Sequence, residues 1–80
     1  MKIQDIKELV EAHTEAEIKT LTEQLENGEP LSHPVGGDDE GEQLTHLIGA
    51  AWIKEQMAAN GTDFKTELRN FTSKVRNSIS

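Results

Sequence analysis

"EGEQLTHLIGAAWIKEQMAAN", residues 40–60, is the segment from which the fold class of this chain follows. Neighbouring residues of an α-helix differ by about 100°, and at that spacing the apolar side chains fall on two opposite faces. The first face holds Leu44, Leu47, Ile48 and Ala51, with Trp52 at its edge. The second face holds His46, Gly49, Ala50, Ile53 and Met57. A helix that is apolar on both sides must bury both, so we predict that this helix is central in the fold.

Three further segments have the spacing of helices with a single apolar stripe, which suits positions around a central helix. In addition to residues 40–60, we predict helices over about residues 3–13, 15–27 and 63–78. No segment alternates between apolar and polar residues as a half-buried strand would. The sequence therefore predicts an all-α bundle of three or four helices, with the third helix at its centre.

The junction of the first two helices leaves two interpretations open. Thr14 followed by Glu17 has the pattern of a capping box, which starts a new helix. The apolar stripes on either side of it differ by only about 60°, so one helix over residues 3–26 is the alternative. We prefer two helices, because Thr14 and Glu17 would otherwise lie on the apolar stripe.

The remaining long segment, residues 28–38, reads "GEPLSHPVGGD" and is predicted to be an irregular loop. Pro30, Pro34 and the glycines around them are incompatible with regular structure. A chain of 80 residues is the size of one domain, so we predict a single helical domain over residues 1–80.

Composition excludes several classes of function. The chain has no cysteine, which removes disulfides and thiolate chemistry, and its net charge is −7, the opposite of what phosphate backbones attract. Its longest apolar run, "LIGAAWI", is far shorter than the roughly 20 residues that span a bilayer. The charged start "MKIQDIKELV" does not resemble a secretory signal. We predict a cytoplasmic protein that binds neither nucleic acid nor membrane.

The acidic segment "GGDDEGE", residues 36–42, is predicted to be a helix cap rather than an ion site. Its glycines are out of register for a calcium-binding EF-hand loop, and three carboxylates would repel a phosphate. Asp39 and Glu42 instead have the Asp-x-x-Glu spacing of a capping arrangement, in which the Asp side chain accepts a free helix amide.

A transition-metal site is a second interpretation of the same region. Glu42 and His46 are four residues apart, which places both on one helical face and can present two ligands to one ion. His13 and His33 could complete the ligand set only if the fold brings them near. The structural alternative is an exposed Glu–His pair that stabilises the helix by a few tenths of a kcal/mol.

The second face of helix three can be covered in two ways. Either the other helices of the monomer enclose it, or it pairs with another chain, and we expect a homodimer. In that case the interface would contain His46, Gly49, Ala50, Ile53 and Met57. Gly49 and Ala50 permit close approach of two helices, and a thioether such as Met57 adapts to its contacts.

A basic ridge on helix four is the other candidate contact surface. Lys65, Arg69 and Arg76 lie beside its apolar stripe. A solvated face, or pairing with the acids of the first two helices, is the structural interpretation, and docking of an acidic partner is the functional one.

The segment "GDDEGEQLTHLIGAAWI" together with the tail "DFKTELRNFTSKVRNSI" resembles a small uncharacterised bacterial family of the Bacteroidetes type. The resemblance implies a small cytosolic helical protein without an assigned activity, and it identifies no functional residues.

Together, these features predict a non-enzymatic, acidic interaction module that needs no cofactor. It would self-associate through helix three or bind an unidentified protein partner. A protein that binds or senses metal through Glu42 and His46 is the alternative. No nucleophile paired with a base, and no acid pair at a definable spacing, indicates catalysis.

Overall fold

A computed structural model describes residues 2–79 of the chain, with the side chains of residues 2–77. Its four helices are α1 (Ile3–Ala12), α2 (Glu15–Glu26), α3 (Glu40–Asn60) and α4 (Phe64–Ile79). The all-α prediction is confirmed, and every predicted helix boundary agrees with the structure to within one residue.

The start of α2 shows why residues 3–26 form two helices. The Thr14 hydroxyl accepts the Glu17 N–H at 3.1 Å, and the Glu17 carboxylate accepts the Thr14 N–H at 2.9 Å. This reciprocal capping box satisfies amides that the first turn of a helix leaves without partners. The preceding residue, His13, is extended with φ −130° and ψ 150°, so the chain turns there and a continuous helix is excluded.

The two ends of α3 are fixed by local chemistry. At its start Asp39 accepts the Glu42 N–H at 2.7 Å, as the acidic segment predicts. The Glu42 carboxylate accepts the N–H of Asp38, one residue before the cap, at 3.0 Å. At its end Gly61 has the left-handed conformation, with φ 63° and ψ 36°, which ends a helix at little cost only for glycine.

Helix α3 packs against α1, α2 and α4, so the prediction that it is central is confirmed. The helices approach closely at Gly49: a methyl group there would lie 3.1 Å from the Phe71 ring of α4 and 3.5 Å from Ile6 of α1. The loop between α2 and α3 adds Val35 to the core, where only 7% of it is exposed. The buried apolar residues are Ile6, Leu9, Val10, Ile18, Leu21, Val35, Leu47, Ala50, Ile53 and Phe71.

A cation also connects α3 to α1. The Lys54 ammonium donates to the Val10 carbonyl at 2.9 Å. Carbonyls in the last turn of a helix lack intrahelical partners and carry partial negative charge, so a lysine is a suitable donor there.

Candidate functional site

The second face of α3 is covered by the chain itself. His46, Ala50 and Ile53 are fully buried, Gly49 is buried, and Met57 is half-buried. The contacts of Gly49 with Phe71 and Ile6 show that α4 and α1 cover this face. Four of the five residues expected at an interface between two chains are therefore buried within one chain, and Met57 stays partly accessible. A homodimer stays a prediction.

His46 is a fully buried polar side chain on that face. Its Nδ1–H donates to the Gly36 carbonyl at 2.8 Å, and its Nε2 accepts the Lys2 N–H at 2.9 Å. This pattern of partners assigns the neutral tautomer with the proton on Nδ1. The imidazole thus joins the start of α1, the loop before α3 and α3 itself, and its role in this fold is structural.

The same hydrogen bonds bear on the predicted metal pair. A ring nitrogen needs a lone pair to bind a metal ion, but both nitrogens of His46 already have hydrogen-bond partners, and the ring is inaccessible to solvent. The Glu42 carboxylate accepts the Asp38 N–H as part of the helix cap. In this geometry the two residues do not form a ligand pair.

The other two histidines do come together. His13 follows α1 and His33 lies in the loop, and their ring centroids are 5.0 Å apart. Glu17 of α2 is the third member of this group, and one ligand atom from each of the three lies within 4.8 Å of the others. The sequence left open whether the fold brings His13 and His33 near the Glu42–His46 pair, and it did not indicate Glu17 as their neighbour.

The first apolar face of α3 is partly open to solvent. The sequence analysis predicted that this face is buried as well. Ile48 is 52% exposed, while Leu47 beside it is fully buried. Ile48 and Ala51 lie in a groove of about 460 Å³ between α2 and α3. The remaining residues that line this groove are Glu15, Lys19, Thr22, Glu23, Glu26 and Glu55.

The basic ridge of α4 is solvent-accessible. Lys65, Arg69 and Arg76 are all exposed. On another face of α4, the Lys74 ammonium lies 5.4 Å from the centre of the Trp52 ring, which is within the range of a cation–π contact. Docking of an acidic partner on the ridge stays a prediction.

The family comparison covers the whole chain: a model described as "Family of unknown function (DUF6952)" matches residues 1–80. The chain belongs to this family. No curated protein and no solved structure matches it significantly. The earlier resemblance rested on segments from the C-terminal half, whereas the family model matches the full length. The bacterial group that the resemblance suggested stays a prediction.

In this member of the family, no helix among residues 2–79 is both long enough and apolar enough to cross a membrane.

Glu67 of α4 is a buried acid that the sequence analysis did not single out. Only 1% of it is exposed, and its carboxylate accepts hydrogen bonds from the Thr62 hydroxyl, the Asn70 amide at 3.2 Å and the Asn60 amide at 3.4 Å. The hydrogen bonds from Thr62 and then Asn70 hold the pKa of Glu67 below its ordinary value, against the opposing effect of burial. In the sequence, the signal that could have pointed to this buried acid is the polar residues on both sides of Gly61.

The lowered pKa of Glu67 gives the stability of the protein a specific pH dependence. Above the ordinary pKa of 4.5, the charged carboxylate stabilises the folded state, and this contribution is lost as the pH falls through the lower pKa of the folded state. We expect Glu67→Gln to lower the thermal unfolding midpoint more at pH 7 than at pH 3. Glu11→Gln, at an exposed position on α1, is the control. A loss for Glu67→Gln that is the same at both pH values would contradict this explanation.

Proposed function

We propose that this protein is a non-enzymatic interaction module that binds a basic amphipathic helix of a partner protein in the groove between α2 and α3. The observation that carries the proposal is the exposure of Ile48 on the floor of a groove whose rim is acidic. Binding of a helix in a groove is a common mode of peptide recognition and depends on apolar anchors at helical spacing.

The apolar part of the groove provides the anchor. Single exposed apolar side chains are common on protein surfaces and need no function. Ile48 differs because it is next to Ala51 inside a concave surface, with the half-buried Leu44 and Trp52 on either side along α3. Covering the exposed half of Ile48 would contribute on the order of 1 kcal/mol, since full burial of such a side chain is worth about 1.5–3 kcal/mol.

The charges of the groove define the chemistry of the partner. Four carboxylates line it, Glu15, Glu23 and Glu26 from α2 and Glu55 from α3, and Lys19 is the single cation among the lining residues. A partner with lysine or arginine on both sides of an apolar stripe would complement this rim. Complementary rim charges mainly raise the association rate and the specificity, and salt screens them.

The same charges favour a different protein over a second copy as the partner. In a twofold dimer the same patch of both subunits meets, so pairing through the groove would bring its four carboxylates and those of the second copy into one interface. Like charges across an interface oppose association. We therefore propose a basic partner, and self-association through α3 becomes one outcome of the test.

The proposal is of a binding protein because His46 and Glu67, the two buried titratable side chains among the described residues, already have structural partners. His46 connects α1, the loop and α3, and Glu67 accepts the hydrogen bonds of the α3–α4 turn. Groups that serve as acid, base or nucleophile need access to a substrate.

The test uses two isoleucines with almost equal exposure. Ile48→Ser removes the anchor of the groove, and Ile3→Ser is the matched control, because Ile3 is 50% exposed on α1 and outside the groove. The probe is a helical peptide with an apolar stripe flanked by lysines, and the same peptide with glutamates in place of the lysines is its negative control. Binding is followed by methyl NMR of the isoleucines.

We expect the lysine peptide to shift the Ile48 signals and to bind more weakly as salt rises. Ile48→Ser should weaken binding by about fivefold, the factor that corresponds to the loss of roughly 1 kcal/mol of apolar burial, and Ile3→Ser should leave it unchanged. Equal binding of the lysine and glutamate peptides, or equal losses in the two variants, would contradict the proposal. A wild-type dimer in sedimentation that only Ile48→Ser dissociates would show that a second copy occupies the groove instead.

A further inference from the structure

A second group of side chains, separate from the groove, lies where α1, α2 and the long loop meet. His13 occupies the position directly after α1, Glu17 is in the first turn of α2, and His33 is in the loop. Two imidazoles and a carboxylate supply one ligand atom each, and these atoms lie within 4.8 Å of one another. The histidine rings are inclined at 55°, so they are not stacked in parallel.

The Nδ1 atom of His13 is the feature of this group that points to a ligand. It is buried, and it has no hydrogen-bond partner among the described residues. Its nearest charged neighbour is the Glu17 carboxylate oxygen at 3.9 Å, which is too far for a hydrogen bond. A buried polar atom without a partner costs free energy, and a bound cation between this nitrogen and the carboxylate would remove that cost.

The Glu17 carboxylate is held in a fixed position by the helix cap, which suits it to bind a cation. The Thr14 N–H donates to its Oε1 at 2.9 Å, and this hydrogen bond is the main reason why the pKa of Glu17 is lowered. The carboxylate is therefore charged at neutral pH. A carboxylate has several lone pairs, so one hydrogen bond leaves capacity for a metal ion and at the same time orients the group, as outer-shell partners of metal ligands do.

We propose that His13, Glu17 and His33 bind one divalent transition-metal ion of the zinc type. Two imidazole nitrogens and one carboxylate oxygen form a donor set that suits zinc and its neighbours rather than calcium or magnesium. Bonds of about 2.0–2.2 Å place ligand atoms about 3.3–3.6 Å apart in a tetrahedral site. His33 is exposed in the loop and can move inward to reach that distance, and a groove of about 190 Å³ beside Glu17 and His33 leaves room for water.

The ion would connect the loop at His33 to the junction of α1 and α2, where His13 and Glu17 are four residues apart. Small domains gain stability from disulfides or metal ions, and this chain has no cysteine. The loop that carries His33 also carries Val35 of the core and the Gly36 carbonyl that accepts from His46. Metal binding would therefore fix this loop against the bundle and stabilise the folded state by mass action.

The test is titration of the metal-free protein with Zn²⁺ alone, after treatment with a chelator. Binding is measured by calorimetry, and the ring signals of the three histidines are followed by NMR. We expect one equivalent of zinc to shift the ring signals of His13 and His33. His46 is an internal control, because it is fully buried with both nitrogens hydrogen-bonded, and its signals should not shift.

Two variants and one control make the assignment specific. His33→Gln removes a ligand at an exposed loop position, and Glu17→Gln removes the charge while glutamine can keep the capping box. Loss of an outer-shell partner typically weakens metal affinity 10–100-fold, so loss of a ligand itself should weaken it by about 100-fold or more. Glu15→Gln, an exposed acid in the same turn of α2, should bind zinc like the wild type.

Three outcomes would overturn the proposal. The first is the absence of saturable zinc binding at millimolar concentration. The second is binding that Glu17→Gln and Glu15→Gln weaken equally, which would indicate diffuse attraction to the acidic surface. The third is binding without a change in the signals of His13 and His33. None of these outcomes bears on the groove between α2 and α3, so the two proposals fail independently.

Discussion

Ile53→Ala is expected to lower the free energy of unfolding by about 2–5 kcal/mol, the usual range for removing a large aliphatic side chain from a core. Ile53 is fully buried on the second face of α3. A domain of this length has a total stability of about 4–12 kcal/mol, so the variant should be close to unfolded at elevated temperature. Urea unfolding followed by circular dichroism measures the change.

The matched control for this prediction is on the same helix. Ile48→Ala makes the same chemical change five positions earlier, but at a side chain that is 52% exposed, so the loss should stay below about 1 kcal/mol. The two variants differ only in which face of α3 they alter. Equal losses would mean that the two faces are buried to the same extent, in contradiction to the structure.

The second large effect is expected for His46→Leu. Leucine fills a similar volume but cannot accept the Lys2 N–H or donate to the Gly36 carbonyl. Each polar group left without a partner in a buried site costs about 1–3 kcal/mol, and apolar packing offsets part of this, so we expect a loss of about 2–4 kcal/mol.

His33→Leu is the control for His46→Leu, measured in the presence of a chelator so that bound metal does not contribute. His33 is exposed, and we expect a change within about 0.5 kcal/mol. If His46→Leu were as stable as the wild type, the hydrogen bonds that join α1 and the loop to α3 would not contribute to folding, and the structural role of His46 would be wrong.

The helix boundaries could be predicted because their signals are local. Thr14 and Glu17 satisfy each other's backbone amides whatever surrounds them, and Gly61 adopts a left-handed conformation that other residues avoid. Asp39 caps α3 for the same reason. Each signal spans a few residues, so the sequence contains all of the information needed.

Local signals do not show which face of α3 is covered by the other helices of the same chain. Periodicity shows that Ile48 and Ile53 lie on different faces, but it does not show where the other helices pack. The sequence favoured a second chain over the face that carries Gly49. In the structure, Phe71 of α4 and Ile6 of α1 meet at Gly49, and the groove beside α2 leaves Ile48 open.

The candidate sites depend on contacts between residues far apart in the chain. His33 reaches His13 through an irregular loop whose path no local pattern specifies. Glu67 has an ordinary helical position, and it is the fold of the α3–α4 turn that buries it among the donors Thr62 and Asn70. A sequence can name such residues as candidates, but their partners follow only from the tertiary structure.

The central claim is that one chain covers the second face of α3. It is tested most directly by isotope-filtered NOE spectroscopy on a mixture of labelled and unlabelled protein, which separates contacts within a chain from contacts between chains. The structure predicts NOEs between Gly49 and the Phe71 ring, and between Gly49 and the Ile6 methyl group, within one chain only. The same NOEs between a labelled and an unlabelled chain would contradict the account and would show that a second copy completes the core.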